Sequence, residues 1–282
     1  MDRLRVSWSV LVLVVLVFAS GAASGAVHSK EVEYKDGETV LWGYLAYDDS
    51  FEGKRPGVLI VHDWRGQGEH EEAVALELAK LGYAAFVVDM FGRHTLKGNP
   101  REAGRWVEWF KGHRAETRTR FEAGLDAMRA QDRVDAERIM AVGYGFGGEI
   151  CLEMARMGVA LGGIVCFYSP LKTSVPDELR KPVTSRILVL HGAEDARVTR
   201  EEVAAFRDEM RAADGAADWQ FITYGGAKHA FADPGAQGPD SAYDETAARR
   251  SWEALKAFLA EIFAEASSEE ESTGAVGQDS QD

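Results

Sequence analysis

The sequence has 282 residues, of which 46% are apolar and 10% aromatic, and its formal net charge at pH 7 is −14. This composition supplies enough apolar material for a core and excludes a chain that is disordered throughout. The negative charge argues against nucleic acids and anionic membrane surfaces as partners. The length suits one large α/β domain or two small ones.

The N-terminal segment has the pattern of a secretory signal peptide. Two arginines within the first five residues precede an apolar stretch at 10–19, and small residues follow it. This order is typical of an exported protein, here with cleavage after Ala23 or Ala26. The apolar stretch is shorter than the roughly 20 residues of a membrane-spanning helix. We therefore assign residues 1–26 to a signal peptide and expect a periplasmic or extracellular protein, with no membrane contact after cleavage.

Strands and helices alternate along the first half of the chain. Two strands at 32–34 and 40–47 flank Asp36-Gly37, a hairpin turn signal. Continuous apolar runs then predict buried parallel strands, and helices with apolar residues at helical spacing lie between them. The further predicted elements are strands at 58–63 and 84–90 and helices at 69–81, 100–113 and 116–130.

The second half continues the same alternation, which implies a mostly parallel sheet covered by helices on both faces. No repeat or linker divides it, so the sequence predicts a single α/β domain over 30–265. Residues 266–282 are rich in Ser, Glu, Gly and Asp, and they are predicted to be a disordered acidic tail. The predicted elements are strands at 138–144, 163–168, 186–191 and 219–224 and helices at 149–157, 200–213 and 242–263.

The segment at 139–151 has the outline of a strand, a sharp glycine turn and a helix. α/β-Hydrolases mount their nucleophile on such a G-x-nucleophile-x-G turn. Gly143 and Gly147 flank the turn, where side chains are expected to collide with the backbone. The residue between them, which should carry a hydroxyl or a thiol, is Gly145. Glycine accepts the positive-φ conformation of this position freely, but it offers no atom for a covalent step.

An acid and a histidine follow two later strands in the chain order expected for this fold. Asp195 comes after the strand at 186–191, and His229 after the strand at 219–224. Asp195 is expected to orient one imidazole nitrogen and to stabilise the cation, while His229 acts as the base.

The sequence resembles the dienelactone hydrolase family over nearly all of 32–264. The matching segments are VLIVHDWRG, VVDMFGR, VGYGFGG, HGAEDARV, KHAF and YDETAARRSWEALKAFL. The resemblance implies an α/β-hydrolase fold and the hydrolysis of a small ester or lactone without a cofactor. The partner is then a small ester, lactone or acyl ligand, and the oligomeric state stays open.

The resemblance also implies roles for individual residues. A cysteine nucleophile stands in the family at the position of Gly145, and the triad is completed at Asp195 and His229. Asp63 matches an acid, usually glutamate, that pairs with the cysteine and shifts its ionisation.

Further roles concern the bound substrate. Backbone N–H groups of Trp64 and Phe146 match the oxyanion hole. Arg93 matches an arginine that binds the substrate's carboxylate, whereas Asp233 stands where the family has a second such arginine. A carboxylate substrate would therefore meet one cation fewer and one new anion, which argues against the dienelactone itself as the ligand.

Gly145 leaves three interpretations open. The chain hydrolyses esters slowly, with His229 activating water directly in the space that Gly145 leaves. Alternatively, it is a non-catalytic protein that binds a small anion or acyl ligand. In the third interpretation, Gly145 is an engineered or erroneous replacement in an ordinary enzyme. The retention of Asp195, His229, Asp63 and Arg93 in the sequence favours the first or the third interpretation.

The remaining reactive side chains are expected to have structural roles. Cys151 and Cys166 are predicted to be buried free thiols. Ser169 could line the pocket, but nothing places it near the histidine. His62 and His191 end strands and are expected to pack or to bond loops, so we predict no metal site.

Overall fold

The computed structural model describes residues 26–92, 99–212 and 217–276, with side chains described up to residue 264. The predicted signal peptide, apart from Ala26, lies outside the described residues. Arg93 and residues 277–282 also lie outside them. No helix among the described residues is long and apolar enough to cross a membrane.

An eight-stranded sheet forms the centre of the described structure. Its order is β1-β2-β4-β3-β5-β6-β7-β8, and β1, β2 and β4 pair antiparallel whereas all other neighbours pair parallel. The predicted mostly parallel sheet is therefore confirmed. The strands are β1 (Val27–Asp36), β2 (Thr39–Asp48), β3 (Arg55–Val61), β4 (Ala84–Val88), β5 (Val134–Tyr144), β6 (Gly163–Phe167), β7 (Arg186–Gly192) and β8 (Trp219–Tyr224).

Helices cover both faces of this sheet. One core cluster packs α3 and α4 against it, and a second packs α1 and α6 against the opposite face. The fold is thus a single α/β domain, as the sequence predicted. The helices are α1 (Glu69–Lys80), α2 (Pro100–Gly112), α3 (Arg114–Arg129), α4 (Phe146–Arg156), α5 (Arg200–Ala212) and α6 (Glu245–Val276), with a short 3₁₀ turn at Asp177–Leu179.

Local sequence signals explain several boundaries. Asp36 and Thr39 are paired across a two-residue turn, and Gly37 has a φ of +56° there, as the hairpin signal predicts. The Asn99 side chain accepts a hydrogen bond from the Arg101 N–H at 3.2 Å and caps α2.

The boundaries of α4 and α6 differ most from the predicted ones. α4 begins at Phe146 rather than at 149, because its glycines, although weak helix formers, allow the helix start to lie against β3. A Cβ on Gly147 would be 2.1 Å from the Val61 carbonyl oxygen. α6 continues to Val276 rather than ending at 263, through a segment rich in the helix formers Ala and Glu. The first part of the tail predicted to be disordered over 266–282 is therefore helical.

Candidate functional site

The turn between β5 and α4 has the conformation that the sequence predicted. Gly145 has a φ of +53° and a ψ of −111°, and its N–H donates to the Phe167 carbonyl at 2.9 Å. A Cβ on Gly143 would be 2.3 Å from the backbone of Gly147. The predicted collisions at the two flanking glycines are thus confirmed. A Cβ on Gly145, by contrast, would meet no atom closer than 3.6 Å.

The atom nearest to that Cβ position belongs to His229. Its Nε2 lies 3.6 Å away, while its Nδ1 donates a hydrogen bond to Asp195 Oδ2 at 2.9 Å. The other Asp195 oxygen accepts the Arg197 N–H at 2.9 Å. Both members of the pair are buried. The structure therefore joins the two residues that the chain order singled out, and it directs the free imidazole nitrogen toward Gly145.

Tyr168 is a neighbour of this pair that the sequence analysis missed. Its ring centroid lies 5.2 Å from that of His229, and its Cδ2 lies 3.9 Å from the Cβ position of Gly145. It is one of two non-glycine residues with positive φ among the described residues, at +40°. Its place directly after β6, at the carboxyl edge of the sheet, was the signal that could have found it.

Two expected oxyanion-hole residues follow neighbouring strands at the same edge of the sheet. Phe146 is the first residue of α4, and the first N–H groups of a helix have no acceptor within the helix. Trp64 follows β3 in a tight turn, in which the Arg65 N–H donates to Asp63 Oδ1 at 2.7 Å. Phe146 directly follows Gly145, and Trp64 lies three residues after the end of β3, the strand that pairs with β5.

Asp63 is paired with Arg65, which the sequence analysis did not single out. Arg65 Nε donates to Asp63 Oδ2 at 2.9 Å, and Arg65 Nη2 lies 2.8 Å from the same oxygen. The same Nη2 donates to Asp233 Oδ2, 168 residues further along the chain. Both carboxylates are buried. The Asp63 carboxylate is therefore engaged by a guanidinium, so the prediction that it tunes a group at position 145 stays a prediction.

Glu71 is a second acid that the sequence analysis missed. Its side chain is buried, and its Oε1 accepts the Asp63 N–H at 3.4 Å. Burial, followed by the Asp63 charge, raises the pKa of Glu71 to about 8. Glu71 and the Arg65 ion pairs line a cavity of about 490 Å³. The sequence signal that could have identified Glu71 is an acid on the apolar face of α1, in helical register with the buried Ala75 and Leu78.

The other reactive residues have structural surroundings, as predicted. Cys151 and Cys166 are buried free thiols, and burial raises the pKa of Cys166 to about 12. The Ser169 hydroxyl donates to the Phe167 carbonyl at 2.9 Å. His62 bonds two loops: its Nδ1 donates to the Asp63 carbonyl at 2.7 Å, and its Nε2 accepts the Met90 N–H at 3.2 Å.

Burial also lowers the pKa of His191, which packs 5.5 Å from the Phe221 ring. Within the described ranges, no group of three or more His, Cys, Asp or Glu side chains is placed to hold a metal ion. Arg93, the predicted ligand of a substrate carboxylate, is outside those ranges.

Comparison with known proteins identifies the family. The dienelactone hydrolase family matches residues 41–263, which is most of the chain. The chain belongs to the dienelactone hydrolase family. A Salmonella typhimurium protein named "Putative carboxymethylenebutenolidase" is 27% identical over 232 residues, which cover 77% of this chain and 82% of that protein.

Solved structures agree with this assignment. A dienelactone hydrolase-like promiscuous phosphotriesterase from metagenomic libraries is 37% identical, with a TM-score of 0.79 over 84% of this chain and 99% of that chain. A dienelactone hydrolase from Anabaena variabilis is 18% identical, with a TM-score of 0.55 over 74% of this chain and 91% of that one. The second likeness bears on the fold alone.

Proposed function

We propose that this family member hydrolyses small carboxylic esters or lactones with a water molecule that His229 activates beside Gly145. The observation that carries the proposal is the position of the imidazole. Its Nδ1 donates a hydrogen bond to Asp195 Oδ2 at 2.9 Å, and its Nε2 lies 3.6 Å from the position that a Cβ at residue 145 would take. An imidazole in this position can act as a general base on an attacking group that lies beside Gly145.

The reaction follows from this arrangement in two proton transfers. His229 Nε2 takes a proton from water, and the hydroxide oxygen bonds to the carbonyl carbon while Asp195 stabilises the imidazolium. The N–H groups of Trp64 and Phe146 donate hydrogen bonds to the resulting oxyanion. When the intermediate collapses, the bond to the leaving oxygen breaks and His229 returns its proton to that oxygen. The products are a carboxylic acid and an alcohol, or one hydroxy acid from a lactone.

A direct attack by water is proposed because, in the described part of the chain, the atoms nearest to the Gly145 Cβ position belong to His229 and Tyr168, and burial raises the pKa of Tyr168 well above its usual range. Glycine has no atom that forms an acyl-enzyme. Cys151 and Cys166 are buried thiols with raised pKa values, and the Ser169 hydroxyl is engaged with a backbone carbonyl. Burial and the high pKa keep the two thiols protonated and unreactive at neutral pH.

The absence of a nucleophilic atom at Gly145 also favours a second candidate function. A protein with the Asp195–His229 pair and the two backbone donors, but no nucleophile, would bind a small acyl ligand or anion without turning it over. This candidate predicts saturable binding of esters and acids, with a slow background rate that does not depend on His229.

Ester hydrolysis by four proteins tests the proposal: the protein as it is, His229→Ala, Gly145→Cys and Gly145→Cys/His229→Ala. With p-nitrophenyl acetate, the unaltered protein should turn over without a burst, and His229→Ala should lower kcat about 10²-fold, as loss of a general base does. Gly145→Cys should add a burst of p-nitrophenol and an acetyl adduct detectable by mass spectrometry. Both should vanish in the double variant.

His113→Ala is the matched control. His113 directly follows α2, is exposed, and stacks on the Trp109 ring of that helix. This variant should leave the rate unchanged. If the rate of ester hydrolysis were the same in His229→Ala as in the unaltered protein, activation of water by His229 would be overturned. The binding function would then be the remaining candidate. Because a relative is named a phosphotriesterase, a phosphotriester is the second substrate to try with the same variants.

We also propose that the protein is exported, on the strength of the sequence pattern at 1–26. Expression of the full chain in a bacterium should give a mature protein that lacks this segment. N-terminal sequencing of the protein from periplasm and medium checks this, and an intact N-terminus in the cytoplasm would contradict it.

A further inference from the structure

Two loops that carry the proposed chemistry start from strands that are not neighbours. The loop at 63–66 follows β3 and carries Trp64, whereas the loop at 229–236 follows β8 and carries His229. β5, β6 and β7 lie between the two strands in the sheet. Across the described residues, no backbone–backbone hydrogen bond joins one of these loops to the other. Sheet pairing alone therefore does not set the distance between them.

Each loop is held in a turn by hydrogen bonds to the side chain and backbone of an aspartate. In the first loop, Asp63 Oδ1 accepts the Arg65 N–H at 2.7 Å, and the Asp63 carbonyl accepts the Gly66 N–H at 3.2 Å. In the second, Asp233 Oδ1 accepts the Gly235 N–H at 2.8 Å, and the Asp233 N–H donates to the Ala230 carbonyl at 3.0 Å. Such local side-chain bonds fix a turn without a strand.

The Arg65 guanidinium connects the two tied turns. Its Nε and Nη2 contact Asp63 Oδ2 at 2.9 and 2.8 Å, and its Nη2 also donates to Asp233 Oδ2. Both carboxylates are buried, and a buried carboxylate without a cation is costly. The planar guanidinium presents its donors in a fixed fork, so two carboxylates bonded to it are held at a defined separation.

We propose that Arg65 is a positioning residue, which holds the His229 loop against the Trp64 loop and thereby sets where His229 Nε2 lies relative to the oxyanion donors. The inference rests on the proposed function for its kinetic consequence. Its structural consequence, the fixed position of the His229 ring, does not depend on turnover. Arg65 itself touches no reacting atom in this role.

The first test is kinetic and uses Arg65→Met in the full chain, with ester hydrolysis measured as kcat and KM. A displacement of the imidazole by about 1 Å is expected to lower kcat by up to about 10²-fold, while KM changes little. Arg65→Lys keeps the charge but loses the fork, so it should recover part of kcat. Arg211→Met is the matched control, since Arg211 is an exposed α5 arginine that pairs with Asp208.

The second test separates positioning from charge balance. Arg65→Met/Asp233→Asn removes the arginine together with one carboxylate that it would leave unpaired. If Arg65 positions the loop, Tm recovers in this double variant but kcat stays low. If kcat recovers together with Tm, Arg65 only neutralises buried charge, and the proposal is overturned.

The third test reads His229 directly and needs no turnover. Long-range ¹H–¹⁵N spectra of the imidazoles, assigned with His229→Gln, should show displaced or broadened His229 signals in Arg65→Met and unchanged ones in Arg211→Met. Unchanged His229 signals in Arg65→Met would overturn the inference. If the unaltered protein hydrolyses no ester, the proposed function fails, and these spectra still decide whether Arg65 fixes the imidazole.

Discussion

Two ion clusters with buried carboxylates, both within the described ranges, differ in what they join. The α4 cluster connects a helix to other elements on one face of the sheet, whereas the loop cluster connects two loops at the sheet edge. The α4 cluster consists of Arg114, Glu149, Glu153, Arg156 and Glu209, and the loop cluster of Asp63, Arg65 and Asp233.

The α4 cluster is the more enclosed of the two. Arg156 is 3% exposed; it contacts Glu153 Oε1 at 2.6 Å and Glu209 Oε1 at 2.8 Å, and it donates to the Leu171 carbonyl at 2.8 Å. Arg65, by contrast, has a side chain that is 46% exposed. Water thus competes for the cation of the loop cluster but hardly for that of the α4 cluster.

This difference separates two tasks. The α4 cluster ties the helix that begins beside Gly145 to α5 and to the segment after β6, so it bears mainly on global stability. The loop cluster joins loops whose apolar side chains pack into different core clusters, Trp64 against one and Phe231 in the other, so it bears mainly on local geometry. Breaking the α4 cluster should therefore lower mainly the free energy of unfolding, whereas breaking the loop cluster should lower mainly kcat.

The largest expected effect on stability is that of Arg156→Met. Removing the cation leaves buried carboxylates and the Leu171 carbonyl without this donor, and breaking a buried pair costs about 3–5 kcal/mol. Urea unfolding should show that loss in the free energy of unfolding, with the turnover per folded molecule nearly unchanged. Arg211→Met, an exposed control, should stay within about 0.5 kcal/mol of the unaltered protein. An equal loss in Arg156→Met and Arg65→Met would remove the distinction between the clusters.

A pH-dependent effect is expected from Glu71→Gln, beside the loop cluster. The folded pKa of Glu71 is raised from 4.5 to about 8. Between these values the folded state binds more protons than the unfolded state, so stability falls as pH rises through this window and levels off above it. The loss is on the order of 1.4 kcal/mol for each pH unit within the window.

Glutamine cannot ionise, so the variant should lack this fall. Its Tm relative to that of the unaltered protein should therefore rise between pH 5 and pH 8, roughly the window that linkage gives. Glu69→Gln, an exposed residue of the same helix turn, is the control and should show no such trend. A difference that does not change with pH would mean that Glu71 is ionised in the folded protein.

The smallest expected effect is the response to salt. Raising NaCl from about 0.05 M to about 0.5 M screens exposed charges far more than buried ones. The stability lost in Arg65→Met should shrink by a few tenths of a kcal/mol, whereas the loss in Arg156→Met should not change. Urea unfolding at the two salt concentrations measures both. An equal salt response in the two variants would contradict the difference in enclosure.

Much of the fold followed from the sequence, because apolar runs and glycines act locally. The continuous apolar strands, the alternation with helices and the single-domain α/β architecture were all predictable. So were the close contacts at Gly143 and Gly147 and the positive φ of Gly145, since tight turns have steric requirements that a short segment reveals. The pairing of Asp195 with His229 was predictable from chain order because consecutive parallel strands end at one edge.

Only the tertiary structure decided the rest, because those features depend on distances between segments far apart in the chain. The Arg65–Asp233 contact joins residues 168 positions apart, and no periodicity encodes it. The high pKa of Glu71 needs both burial and the neighbouring Asp63 charge, which residue type alone does not give. The distance from His229 Nε2 to the position of the absent Cβ at Gly145 also depends on how the loops after β5 and β8 pack, and this packing allows a glycine site to be proposed as a catalytic one.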